Sequence, residues 1–89
     1  MKYIDLALIF KALGDNNRLE IVKKLAKEEL CACVLLRDID ISQPTLSHHM
    51  RVLTDCGLVT IRKEGKWSHY SINDEYLEAL KEFIEDLGA

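Results

Sequence analysis

Cys31 and Cys33, two thiols separated by one residue, begin the part of this 89-residue chain that is richest in chemistry. Thiolates bind soft ions and undergo reversible oxidation. Shortly after them runs Ser42-Gln43-Pro44-Thr45-Leu46-Ser47-His48-His49-Met50-Arg51. Its amide, hydroxyls, imidazoles and guanidinium are groups that meet base edges and phosphates. Thiol chemistry beside a nucleic-acid reader suggests a switch in which the state of the thiols sets affinity for DNA. The third thiol, Cys56, stands just before Gly57 and reads as a small buried structural residue. Three cysteines make no disulfide framework, and a close pair without a framework is metal-binding or reactive.

These groups need elements to hold them. Ile4, Ala7 and Leu8 recur at helical spacing, with Leu6, Ile9, Phe10 and Leu13 widening the face, so a first helix is predicted over Tyr3 to Leu13, ended by Gly14. A second, capped by Asp15 or Asn16, is predicted to about Lys27. Leu19, Val22 and Ala26 form its expected buried side, widened by Ile21 and Leu25. A short third helix covers about Cys31 to Arg37, and Asp38-Ile39-Asp40-Ile41 is the turn. Ser42 caps a fourth helix with Pro44 in its first turn, running to about Asp55 before Gly57. From Leu58 the period changes to that of strands. Leu58–Lys63 and Trp67–Ile72 form a hairpin through Glu64-Gly65-Lys66. Asp74 caps a last helix to about Leu87, with Leu77, Leu80, Phe83, Ile84 and Leu87 on one side. The expectation is a mainly α protein with a β-hairpin wing: a winged helix-turn-helix of five helices and one two-stranded hairpin, residues 1–89 forming a single DNA-binding domain.

On the fourth helix Leu46, Met50 and Leu53 define the core face. His48 and Arg51 then point most nearly outward, flanked by Thr45 and Ser47, while His49 leans toward the core edge. Ser42, Gln43, Thr45 and Ser47 lie at the helix start, where recognition helices meet DNA. Ser42, Gln43, Thr45, Ser47, His48, His49 and Arg51 are therefore the candidate readers, and Arg62, Lys63 and Lys66 of the hairpin the candidate phosphate contacts. Trp67, His69 and Tyr70 read as hairpin packing.

The net charge of −3 runs mildly against binding a polyanion. Its distribution softens this: residues 1–36 and 37–70 each balance to +1, and residues 71–89 carry −5. No apolar run approaches the ~20 residues of a membrane span. Met1-Lys2-Tyr3-Ile4-Asp5 makes a poor signal peptide, so a cytoplasmic location is expected. No nucleophile–base–orienter set or phosphate loop is present, and an enzyme is not expected.

Ala12-Leu13-Gly14-Asp15 with Arg18-Leu19, Glu29-Leu30-Cys31-Ala32-Cys33, Ser42 to His49, Leu53 to Val59, and Gly65-Lys66-Trp67 with His69-Tyr70 together resemble the ArsR/SmtB family of metal-sensing repressors. Cys-x-Cys at this place resembles the arsenite and antimonite sensors among them. The resemblance implies a homodimer, joined through the first and last helices, that binds double-stranded operator DNA and leaves it when As(III) or Sb(III) binds Cys31 and Cys33. Many such sensors carry a third cysteine where this chain has Leu36, so two thiolates plus solvent or a small thiol would hold the ion. The Asp and His ligands of the family's other common site, on the last helix, are missing, since that helix has no histidine. Were both cysteines helical they would lie ~200° apart, and gripping one ion would bend or unwind the first turn. The alternative is a redox-sensing repressor using the same two cysteines.

Overall fold

The computed structural model describes residues 4–88. Helix α1 (Leu6–Ala12) starts where the Asp5 carboxylate accepts the Leu8 N–H; the predicted start at Tyr3 lies outside the described residues. The Asp15 carboxylate accepts the N–H groups of Asn17 and Arg18 and so caps α2 (Asn16–Leu25). Its buried face is Ile21 and Leu25, whereas Leu19 and Ala26 are exposed and Val22 half-buried. The predicted face was therefore rotated. Ile21 and Leu25, one turn apart, are the residues turned inward where α2 packs on later elements, and Leu19 lies about 200° from Ile21.

The third helix starts one residue later than expected. Leu30–Cys31 form a two-residue strand, β1, and Cys31 caps α3 (Ala32–Asp38). Ile39 closes the helix, and its buried side chain anchors the turn. Ser42 caps α4 (Gln43–Asp55) by accepting the Thr45 N–H, and Pro44 occupies the first turn as predicted. The chain leaves α4 through Gly57 at φ +90°, a conformation in which a Cβ would meet the Tyr76 ring at 2.3 Å.

Strands β2 (Val59–Glu64) and β3 (Trp67–Ile72) pair antiparallel from Val59↔Ile72 to Glu64↔Trp67. Gly65 and Lys66 make the turn, with Gly65 at φ +61°. The hairpin gains a third strand: β1 pairs with β3 through Leu30↔Tyr70 and Cys31↔His69, giving the order β1-β3-β2. Helix α5 (Asp74–Leu87) is capped by Asn73 rather than Asp74, the Asn73 side chain accepting the N–H groups of Glu75 and Tyr76.

Ile9, Ile21, Leu35, Met50, Leu53, Leu58 and Val59 are fully buried and join all but the last helix to β2 in one core. Tyr76 and Leu80 dock α5 onto it. Beyond them the last turns of α5 expose Phe83, Ile84 and Leu87, and α1 exposes Leu8 and Phe10; the Phe10 and Phe83 rings meet edge-on at 5.7 Å. Among the described residues no helix is long and apolar enough to cross a membrane.

Candidate nucleic-acid interface and thiol site

Cys31 is extended (φ −73°, ψ 147°), not helical, because it ends β1 and caps α3. A capping side chain folds back over the first helical turn. Its Sγ accordingly accepts the Cys33 N–H at 3.3 Å and the Cys33 thiol proton at a sulfur–sulfur distance of 2.7 Å. The two sulfurs thus converge, which corrects the expectation that they lie on opposite sides of a helix. The Cys33 thiol, helped by the Cys33 N–H, pulls the Cys31 pKa down, and holding that same proton for Cys31 pushes Cys33 up. This contact favours ionisation of Cys31 over Cys33. Two adjoining thiolates are a donor set for thiophilic ions.

Among the described residues no group of three or more His, Cys, Asp or Glu side chains is placed to hold a metal. Cys56 is buried, its thiol donates to the Leu53 carbonyl at 3.2 Å, and burial raises its pKa. It plays the structural part expected of it. Leu36 lies near the pair: with Cys33 it lines a groove of about 240 Å³ between α3, the start of α4 and β3.

On α4 the candidate readers Gln43, Thr45, Ser47, His48 and Arg51 are exposed, as are Pro44 and Asp55, with Ser42 exposed at the cap. The Ser42 hydroxyl also donates to Thr45 Oγ1 at 2.9 Å, so these two residues brace the helix start. His49 departs from its expected role: only 6% exposed, it packs inward with Leu46, Met50 and Leu53. The reason is spacing, because 46, 49, 50 and 53 follow i, i+3, i+4, i+7. Arg18 Nη1 lies 3.0 Å from His49 Nδ1. A guanidinium only donates, so Nδ1 accepts and the ring proton sits on Nε2, 4.0 Å from the Asp15 carboxylate. Arg18 also donates through Nε to the Ala12 carbonyl. A chain of polar contacts therefore ties the end of α1 and the start of α2 to the recognition helix.

Burial lowers the His49 pKa from 6.5, with Arg18 and His48 adding to the effect and Asp15 opposing it. The unfolded chain then binds a proton that the fold resists. The stability from neutral His49 is complete above pH about 6.5 and is lost as pH falls through the lower folded-state value. Thermal unfolding should show a melting temperature that drops as pH goes from about 7.5 to about 5.5. His49→Gln should shrink that drop, and an unchanged drop would assign it to carboxylates.

On the wing Arg62, Lys63 and Lys66 are exposed. Arg62 donates to Glu29 at 2.7 Å and to Glu64, while the Ser71 hydroxyl donates to Glu29 at 3.0 Å. Arg62 is thus held between two carboxylates, whose pKa values it lowers, and Lys63 and Lys66 are the freer cations. Tyr70 is buried as expected, but Trp67 is 52% exposed, with the Lys66 ammonium 5.7 Å from its ring centre. The Glu29 link was missed by sequence reasoning, since nothing local pairs residues so distant in the chain.

A capped helix with a polar outward face, buttressed from behind and flanked by a basic hairpin, defines a winged-helix DNA-binding regulator. Residues 15–60 match the family described as bacterial regulatory protein, arsR family, and the chain belongs to that family. It is similar to the arsenical resistance operon repressor of Staphylococcus xylosus, with 47% identity over 96% of this chain and 82% of that protein. It is also similar to a cadmium resistance transcriptional regulatory protein CadC homolog of Staphylococcus aureus, with 44% identity over 89% of this chain and 66% of that protein. Among solved structures, an ArsR-like transcriptional regulator from Rhodococcus sp. RHA1 superposes with a TM-score of 0.80 at 30% identity, over 93% of this chain and 78% of that one. The relatives are regulators of transcription, not enzymes.

Proposed function

We propose that this protein is a cytoplasmic, homodimeric repressor that binds double-stranded operator DNA and releases it when As(III) or Sb(III) bridges Cys31 and Cys33. The observation that carries the reading is the contact between the two sulfurs at the start of α3, the helix that packs against the recognition helix. An ion bridging the two sulfurs takes the place of the thiol proton between them and fixes both at metal-bond length. Cys31 belongs both to the cap of α3 and to β1, so drawing its sulfur onto an ion shifts α3 or the wing relative to α4. The ion then favours a state that fits DNA less well. The name of the Staphylococcus xylosus relative supports arsenic as inducer. Gln43, Ser47, His48 and Arg51, positioned by Ser42 and Thr45, would read the groove, and Lys63 and Lys66 would meet phosphates. The exposed apolar residues of α1 and α5 would form the dimer contact.

The test is fluorescence anisotropy with DNA from upstream of the protein's own coding sequence, titrated with As(III). Affinity should fall by about 5- to 150-fold, and full affinity in the presence of bound ion would sink the reading. The same sulfur contact also suits a redox switch; release by oxidant and recovery with dithiothreitol, without any ion, would favour it.

The Arg62 pairing gives a further expectation. Glu29→Gln removes one of the two carboxylates that neutralise Arg62, so operator affinity should rise. The slope of log affinity against log salt should steepen by up to about one unit. A weaker, equally salt-dependent complex would show that Glu29 matters for holding the wing rather than for charge.

A further inference from the structure

The thiol pair supplies two ligands, while trivalent arsenic takes three. Cys33 lines the groove between α3, α4 and β3, and the residue facing the same space one turn on is Leu36, which cannot ligate. No third protein ligand stands with the pair among the described residues. The groove holds about 240 Å³, room for a small organic molecule rather than a hydroxide alone. Its floor is apolar, with Leu36, Met50 and Tyr70, while Gln43 and Ser47 offer hydrogen bonds and Lys66 brings a cation. Among the described residues that ammonium lies over the Trp67 ring, 5.7 Å from its centre, and meets no carboxylate. An anion entering beside it would gain a charge partner.

We propose that the groove is a binding site for a small anionic thiol, a carboxylate-bearing monothiol, whose sulfur completes the coordination of an arsenic ion held by Cys31 and Cys33. The proposal rests on the arsenic-sensing reading above. The chemistry balances without an oxidant or reductant. Arsenous acid meets three thiols; three As–O bonds break, three As–S bonds form, and each hydroxide leaves with a thiol proton as water. Arsenic stays trivalent throughout. The occupant lies between Gln43 and Ser47 of the recognition helix and the wing, so the co-ligand blocks the DNA-facing groove as well as completing the ion's shell. Inducer strength then depends on the cell's acidic thiols as well as on arsenic.

The test uses the full reduced chain, As(III), and two thiols of similar size and opposite charge, 3-mercaptopropionate and cysteamine. Native mass spectrometry should show protein plus arsenic plus mercaptopropionate as the main adduct. The anionic thiol should be preferred over the cationic one by about threefold, an exposed charge pair's worth, and Lys66→Gln should erase the preference. The chain has one tryptophan, Trp67, which lines the groove. Its emission should change when mercaptopropionate joins the arsenic-loaded protein, beyond the change with arsenic alone. Leu36→Cys should take arsenic without any added thiol and exclude the co-ligand. Arsenic bound with no thiol adduct, or an adduct that leaves Trp67 emission unmoved, overturns this proposal while leaving the sensor reading intact. No arsenic uptake at all overturns the sensor reading itself.

Discussion

Cys31→Ser is expected to leave operator binding intact and to abolish release by As(III). Serine keeps an oxygen that can accept the Cys33 N–H and so preserves the cap of α3, whereas it removes the sulfur that ionises first. Loss of groups that merely orient a metal ligand costs about 10- to 100-fold in affinity, and losing the ligand itself should cost at least the upper figure. In the anisotropy titration the variant should stay on DNA at arsenic concentrations that release the parent protein. Cys33→Ser should behave alike, since one thiolate cannot bridge. Cys56→Ser should respond as the parent does, because the Cys56 thiol spends its proton on the Leu53 carbonyl inside the core. A Cys31→Ser variant that still released DNA with arsenic would move the sensor away from this pair.

Gly57→Ala should destabilise the fold by about 2–5 kcal/mol. A β-carbon at φ +90° costs about 1–2 kcal/mol in backbone strain. That carbon would also lie 2.3 Å from the Tyr76 ring, forcing the ring off its seat on the core, an overpacking cost of about 1–3 kcal/mol. Against a typical stability of about 5–15 kcal/mol the sum is severe. Gly65→Ala is the control: it too has positive φ, at +61°, but a Cβ there meets nothing within 4 Å. Urea denaturation of both should show Gly57→Ala the worse by the clash alone, and equal losses would remove Tyr76 from the account.

Where local chemistry decides structure, the sequence was readable. Ser42, Pro44 and Gly57 bound the recognition helix as they should, because caps and left-handed stops act within a few residues. The hairpin followed from its period and its Gly65-Lys66 turn. What escaped was long-range or too short for a pattern. A two-residue strand has no periodicity, so Leu30 and Cys31 gave no sign that they pair with Tyr70 and His69. That omission carried the error about the thiols, since a helical Cys31 would have pointed away from Cys33. His49 was half read: its spacing placed it toward the core edge, yet it was kept among the candidate readers, and the fold buries it. The inward face of α2 depended on which of two apolar stripes met α4, and only packing decides that.

The pairing of β1 with β3 also bears on how the molecule is made. Leu30 and Cys31 meet Tyr70 and His69 roughly forty positions further on, and contacts so distant in sequence close late because the intervening loop must first lose its freedom. A chain growing from the ribosome therefore carries two unregistered thiols until its hairpin has emerged and folded. On the reading proposed above, β1 gains its sheet partner only once the wing has formed, so a chain competent to sense is one whose hairpin is already in place.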